Sequence, residues 1–220
     1  MLPILFSFRR CPFAIRARMT LSYANITLEH REVLLSEKPR SMLMASAKGT
    51  VPVLVLPDGS VIDESAEIMR WALDQRDPDR WWREEYASTA LALVDENDFR
   101  FKVHLDHYKY ADRFPAQSQS HYRGEAEKFL LKLEQRLDTH RYLQNDRPGF
   151  SDVAIFPFVR QFAFVDKPWF DQASYPKLQH WLQSFLDSDL FKNVMAKIPL
   201  WQEGPEPHTG ARALFPQKEL

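Results

Sequence analysis

The sequence predicts an α/β unit followed by an all-helical one, and three features carry that division. Short apolar or β-branched runs alternate with helical patterns as far as Leu73. Asp74-Gln75-Arg76-Asp77-Pro78-Asp79-Arg80 is then charged and proline-broken, with no apolar period, as a linker would be. From Trp81 onward the apolar spacing is helical only. At 220 residues the chain is long enough to bury a sizeable core as one large or two smaller domains.

The first element is the apolar run Leu2-Pro3-Ile4-Leu5-Phe6, a buried strand. It leads into Phe8-Arg9-Arg10-Cys11-Pro12-Phe13-Ala14, then into a helix whose apolar face holds Ile15, Met19 and Leu21 with Ala14, Ala17 and Ala24. Pro12 suits the first turn, where its missing N–H removes no helical bond. Cys11, the one cysteine of the chain, therefore stands at a strand-to-helix junction. Helix-start N–H groups and nearby cations favour a thiolate there, with Arg9, Arg10 and Arg16 as candidate cations. The alternative is a buried cysteine that merely packs. Ala14 occupies the second sulfur position of a Cys-x-x-Cys pair, so any thiol chemistry is monothiol.

Ile26 to Val33 mixes β-branched and charged residues and is expected as an edge strand, which completes a right-handed βαβ unit. Leu34 to Ala45 is a loop with a short helix interrupted by Pro39. Val51-Pro52 precedes the strand Val53-Leu54-Val55-Leu56, and the turn Pro57-Asp58-Gly59-Ser60 returns the chain into Val61-Ile62 as a hairpin. Asp63-Glu64-Ser65 then opens a helix running to Leu73, which on its own reads as ordinary N-terminal capping.

The resulting order is βαβαββα, with a thiol at the first helix start. With Lys38-Pro39, Val51-Pro52 and Glu64-Ser65 in that order and spacing, the segment from Leu2 to about Leu73 resembles the thioredoxin-fold domain of cytosolic glutathione S-transferases. Cys11-Pro12-Phe13-Ala14 resembles the cysteine-type, omega-like classes rather than the tyrosine or serine types. The resemblance implies a fold of α/β plus all-α class, an N-terminal thioredoxin-like domain over residues 1–75, a linker 76–80, a helical transferase-type domain 81–201 and an extended tail 202–220.

It further implies a glutathione site. Cys11 would be catalytic, with Phe13 beside its sulfur. Val51, before Pro52, would pair its backbone with the cysteinyl unit as an added strand. Ser65 at a helix start suits the γ-glutamyl carboxylate, Glu64 a donor at that end, and Lys38 the glycyl carboxylate. The sequence departs from the family where Ser46-Ala47-Lys48-Gly49 replaces the common Asn-Pro-x-Gly.

In the second half, Tyr86 to Tyr110 is compatible with one long helix, and His121 to His140 is amphipathic through Phe129, Leu130, Leu133 and Leu137. Pro148 to Arg160 resembles the buried helix of the same family, with Asp152 as a structural capping acid and Gly149 where a hydroxyl residue is usual. Helices are also expected from Tyr175 to Leu182 and from Leu190 to Ile198. His104, His107, Tyr108, His121 and Tyr122 are assigned to the wall of an acceptor pocket, on the family's layout, rather than to a metal, and no metal cofactor is expected.

A net charge of −1 gives no electrostatic case for nucleic acid or an anionic membrane as partner. No apolar run approaches the ~20 residues of a membrane span, no secretory pattern opens the chain, and a lone cysteine is no disulfide scaffold, so a cytoplasmic protein is expected. The expected partners are glutathione as co-substrate, an unidentified small-molecule or disulfide acceptor and, from the family's usual state, a second copy in a homodimer. Three functions follow: thiol transfer through a Cys11–glutathione mixed disulfide, conjugation of glutathione to electrophiles, or non-catalytic binding on a reused fold.

Overall fold

The computed structural model describes residues 1–204 and 211–213. The chain forms two compact units, one from Met1–Asp79 together with the chain from Asp189 on, the other from Arg80–Ser188.

The first unit runs β1 (Ile4–Ser7), α1 (Pro12–Tyr23), β2 (Leu28–Glu32), α2 (Arg40–Ala45), β3 (Val53–Val55), β4 (Val61–Ile62) and α3 (Ser65–Gln75). This is the βαβαββα order, and its thioredoxin-like topology follows from the pairing: β1 is parallel to β2 and antiparallel to β3, and β3 is antiparallel to β4. Alternation along β1 and β3 sends successive side chains to opposite faces. Leu5 and Leu54 therefore join Ala17, Leu21, Ile68 and Ala72 of α1 and α3 on one side. Phe6 and Val53 join Val33, Met42 of α2 and the partly buried Trp201 on the other.

Two expectations are corrected here. β2 is not an edge strand, because β5 (Ala211–Ala213) pairs antiparallel along it, giving the sheet order β4-β3-β1-β2-β5. The buried side of this strand carries His30 and Glu32 together with Leu28. The pairing with β5 means that the tail expected over 202–220 supplies a strand at 211–213; its residues 205–210 and 214–220 lie outside the described part. Secondly, 189–201 does not belong with the helical unit. The side chain of Arg18 in α1 donates to the Val194 carbonyl, and the Trp201 N–H donates to the Glu32 carbonyl, so this stretch packs on the first unit.

The second unit holds α4 (Ala87–Glu96), α5 (Lys102–Lys109), α6 (Gln119–Thr139), α7 (Phe150–Ala163), α8 (Lys167–Gln172) and α9 (Pro176–Asp187). The long helix expected from Tyr86 is interrupted by a π-helical turn at Asn97–Phe101, in which Asn97 and Phe101 are buried. α7 is apolar on nearly all sides and almost wholly buried. Gly149 has no side chain to cap it; Asp152 supplies the return half of a capping box, accepting the Gly149 N–H at 3.0 Å. The remaining helix, α10 (Asp189–Val194), packs against α1. Among the described residues no helix is long and apolar enough to cross a membrane.

Candidate functional site

Cys11 is the N-cap residue of α1, with extended backbone (φ −73°, ψ 123°), and Pro12 follows as the first helical residue. The side chain is half-buried and its Sγ lies 3.7 Å from the Val51 carbonyl oxygen. The Val51-Pro52 peptide is cis. Two segments forty residues apart in the chain thus meet at the thiol, one a helix start and the other the turn that feeds β3.

The loop before Cys11 is held from both sides by buried charge. Arg18, fully enclosed two turns along α1, donates from Nη1 to the Ser7 hydroxyl at 2.6 Å, from Nη2 to the Arg9 carbonyl at 2.8 Å, and from Nε to the Val194 carbonyl at 3.1 Å. Glu32 accepts the Arg9 N–H at 2.6 Å, and its second oxygen stands 3.4 Å from His30 Nε2. Burial pulls the Arg18 guanidinium down to about 10, against the opposing charges of Glu32 and of the Cys11 sulfur. At neutral pH it therefore keeps its charge beside the thiol loop. Arg18 was not among the cations expected from the sequence, since nothing local distinguishes an arginine seven positions into a helix. Arg16, which was, turns away to α3 and donates from Nε and Nη2 to the Ser65 hydroxyl at 3.0 and 2.8 Å.

Phe13, the next residue of the first turn, carries the Arg16 guanidinium over its ring at 5.1 Å. Ser65 is buried as the first residue of α3, whereas the N-cap Glu64 is exposed and makes no side-chain capping bond. Its carboxylate lies 2.5 Å from Lys48, which also meets Asp63 at 3.0 Å; Ser46 donates to the other oxygen of Asp63 at 2.7 Å. The loop at which the sequence departs from the family is therefore tied to the start of α3 by its own polar residues. Lys48 carried no motif and was not expected in the site. Lys38 is exposed, and its Nζ lies 3.5 Å from the point where a Cβ on Gly49 would stand, which brings it over the loop that leads to Val51. Gly49 itself has φ +61°, a backbone that suits glycine.

Of the residues expected along an acceptor pocket, Tyr108 and Tyr122 are buried, His104 and His107 are half-buried and His121 is exposed. The His107 ring lies tilted against Phe114 at 4.0 Å and meets Tyr122 edge-on at 4.8 Å, while Tyr122 donates to the Phe114 carbonyl. Burial holds the imidazole of His104 below its ordinary range. Among the described residues no three His, Cys, Asp or Glu come together in a way that could hold a metal ion.

Comparison with known families gives two adjoining matches: the glutathione S-transferase N-terminal domain over residues 5–81 and the glutathione S-transferase C-terminal domain over 82–184. The chain belongs to the glutathione S-transferase superfamily. Among this transferase's curated relatives, a probable glutathione transferase omega-2 of Caenorhabditis briggsae is 28% identical over 203 residues, covering 84% of this chain and 76% of the relative. Glutathione S-transferase omega-1 of Mus musculus is 24% identical over 180 residues, covering 80% and 73%. Among solved structures, the glutathione transferase URE2P6 of Phanerochaete chrysosporium, in complex with oxidized glutathione, superposes with a TM-score of 0.76 at 18% identity, over 87% of this chain and 94% of that one. The likeness to that structure is one of fold.

Proposed function

We propose that the protein is a glutathione-dependent thiol transferase that works through Cys11 alone. The observation that supports this most is the meeting of the Cys11 sulfur with the Val51 carbonyl at the cis Val51-Pro52 turn. A peptide laid along Val51 as an extra strand would bring its own cysteinyl sulfur to that thiol. Val51 and Pro52 would hold the cysteinyl unit of glutathione, Ser65 and Glu64 the γ-glutamyl end, and Lys38 the glycyl carboxylate, with Phe13 beside the sulfur. The omega-class names of two relatives point the same way.

The reaction divides into two exchanges. The Cys11 thiolate attacks the glutathione sulfur of a mixed disulfide; the S–S bond breaks, and the acceptor leaves as a thiolate that takes up a proton. A second glutathione, as thiolate, then attacks the glutathione sulfur on Cys11, forming glutathione disulfide and returning the Cys11 thiolate. The fixed positive charge of Arg18 favours the ionised sulfur at both stages.

Oxidised glutathione should add a single glutathione to the protein by intact mass, and Cys11→Ser should lose both the adduct and disulfide-reductase activity. A serine variant with full reductase activity would overturn the reading. Loss of reductase activity with conjugation retained or improved would be expected of a hydroxyl that donates to the glutathione thiolate but forms no mixed disulfide.

A further inference from the structure

Ser65 accepts two hydrogen bonds from one guanidinium, from Arg16 Nε at 3.0 Å and from Nη2 at 2.8 Å. Both residues are buried, at 1% and 3% exposure. A serine hydroxyl has two acceptor lone pairs and one proton. With both lone pairs turned to Arg16, the proton is directed to an acceptor on the opposite side. The Phe13 ring against the guanidinium holds its plane, so the fork is fixed from a second direction. Ser65 also opens α3, and the N-cap side chain of Glu64 makes no capping bond but is drawn off to Lys48.

We propose that Arg16 is a positioning residue that makes Ser65 an obligate donor, and thereby selects a carboxylate over a neutral group of the same shape at the γ-glutamyl end of glutathione. This rests on the glutathione reading above. Arg16 need not touch the ligand; it acts by fixing which way the Ser65 proton points and by placing a permanent positive charge behind it.

The test is calorimetric titration with two ligands: glutathione, and an analogue whose γ-glutamyl α-carboxylate is a primary amide. The wild-type protein should bind the amide on the order of tenfold more weakly, as for a lost bond to a charged group. Arg16→Gln should weaken glutathione by about the same factor while leaving the amide nearly unchanged, so that discrimination collapses. Arg16→Lys keeps the charge but cannot form the two-pronged contact, and should retain part of it; this variant serves if the Gln variant does not fold. Ser65→Ala should erase the same discrimination, and combining it with Arg16→Gln should cost no more than either change alone.

Equal loss of both ligands in the Arg16 variants, or fully additive losses, would overturn the inference. Wild-type protein that binds glutathione without distinguishing it from the amide would overturn it as well, leaving the proposed function standing. Wild-type protein that binds neither ligand would overturn the glutathione reading itself, and this inference with it.

Discussion

Arg18 owes its role to its surroundings rather than to a motif. Taking a guanidinium fully out of water is costly, and burial accordingly pulls it down to about 10. It stays because Ser7, Phe8, Arg9 and Val194 all present oxygens to it, so that one side chain fixes the loop leading to Cys11. Arg18→Met should strip those oxygens of their donor and remove a positive charge from the vicinity of the sulfur. The expected outcome is a Cys11 alkylation profile displaced to higher pH and a lower melting temperature. A profile that stays in place while the protein melts earlier would make Arg18 a structural anchor only. The other charged groups around Arg18 are Glu32 and His30 of β2 and Arg9 of the loop itself, so the same titration should be repeated in His30→Gln to separate the histidine's contribution.

The start of α7 shows a similar dependence on one buried acid. Asp152 accepts from the Gly149 N–H at 3.0 Å, the Leu143 N–H at 2.9 Å and Trp181 Nε1 at 2.9 Å, and so ties the helix start to the preceding loop and to α9. Burial outweighs these bonds and raises the carboxyl from 3.8 to about 6. The folded state therefore holds the proton more tightly than the unfolded chain. The stability that Asp152 contributes is fully present below pH 3.8 and declines as pH rises through about 6, by something on the order of 3 kcal/mol. Asp152→Asn should flatten this slope between those values, and should lower stability at neutral pH because its NH₂, with the amide oxygen kept on the Leu143 and Trp181 donors, must face the Gly149 N–H. Denaturant midpoints of both proteins across the window check it; parallel slopes would remove Asp152 as the cause.

The first unit is closed by chain from the far end of the sequence. After α10, the Trp201 N–H bonds to the Glu32 carbonyl, the Arg31 guanidinium lies 4.4 Å over the Trp201 ring, and Phe6 meets that ring edge-on. Glu203 then accepts the N–H groups of Arg40 and Ser41, each at 2.9 Å, which satisfies the first turn of α2 where Pro39 offers no capping side chain. Trp201→Ala should cost about 2 kcal/mol, below the ~3–5 of a fully buried tryptophan. It should also speed amide exchange in β2 while leaving α6 and α7 unchanged. Exchange that rises in both units together would show that the segment supports the whole chain rather than the first unit.

What could be read without coordinates was what local spacing encodes. The alternation of Leu5 and Phe6, the helical period after Pro12, the Gly59 turn and the acid at Asp152 each act within a few residues, and the elements formed where those patterns fall. Cys11 was legible as a helix-start thiol for the same reason, and Val51-Pro52 as a turn before a strand. Contacts across the chain were not legible. Arg16 and Arg18 are alike in sequence, and only folding sends one to Ser65 and the other to Ser7, Arg9 and Val194. The charged pattern of β2 fits an exposed edge, and it became an interior strand because residues 211–213, far along the chain, pair with it. Lys48 and Glu64 looked like separate features until the loop and the start of α3 came within reach of one another. Periodicity is set by the geometry of a single element, whereas the partner of a buried charge is set by which elements pack beside it, and no local pattern carries that choice.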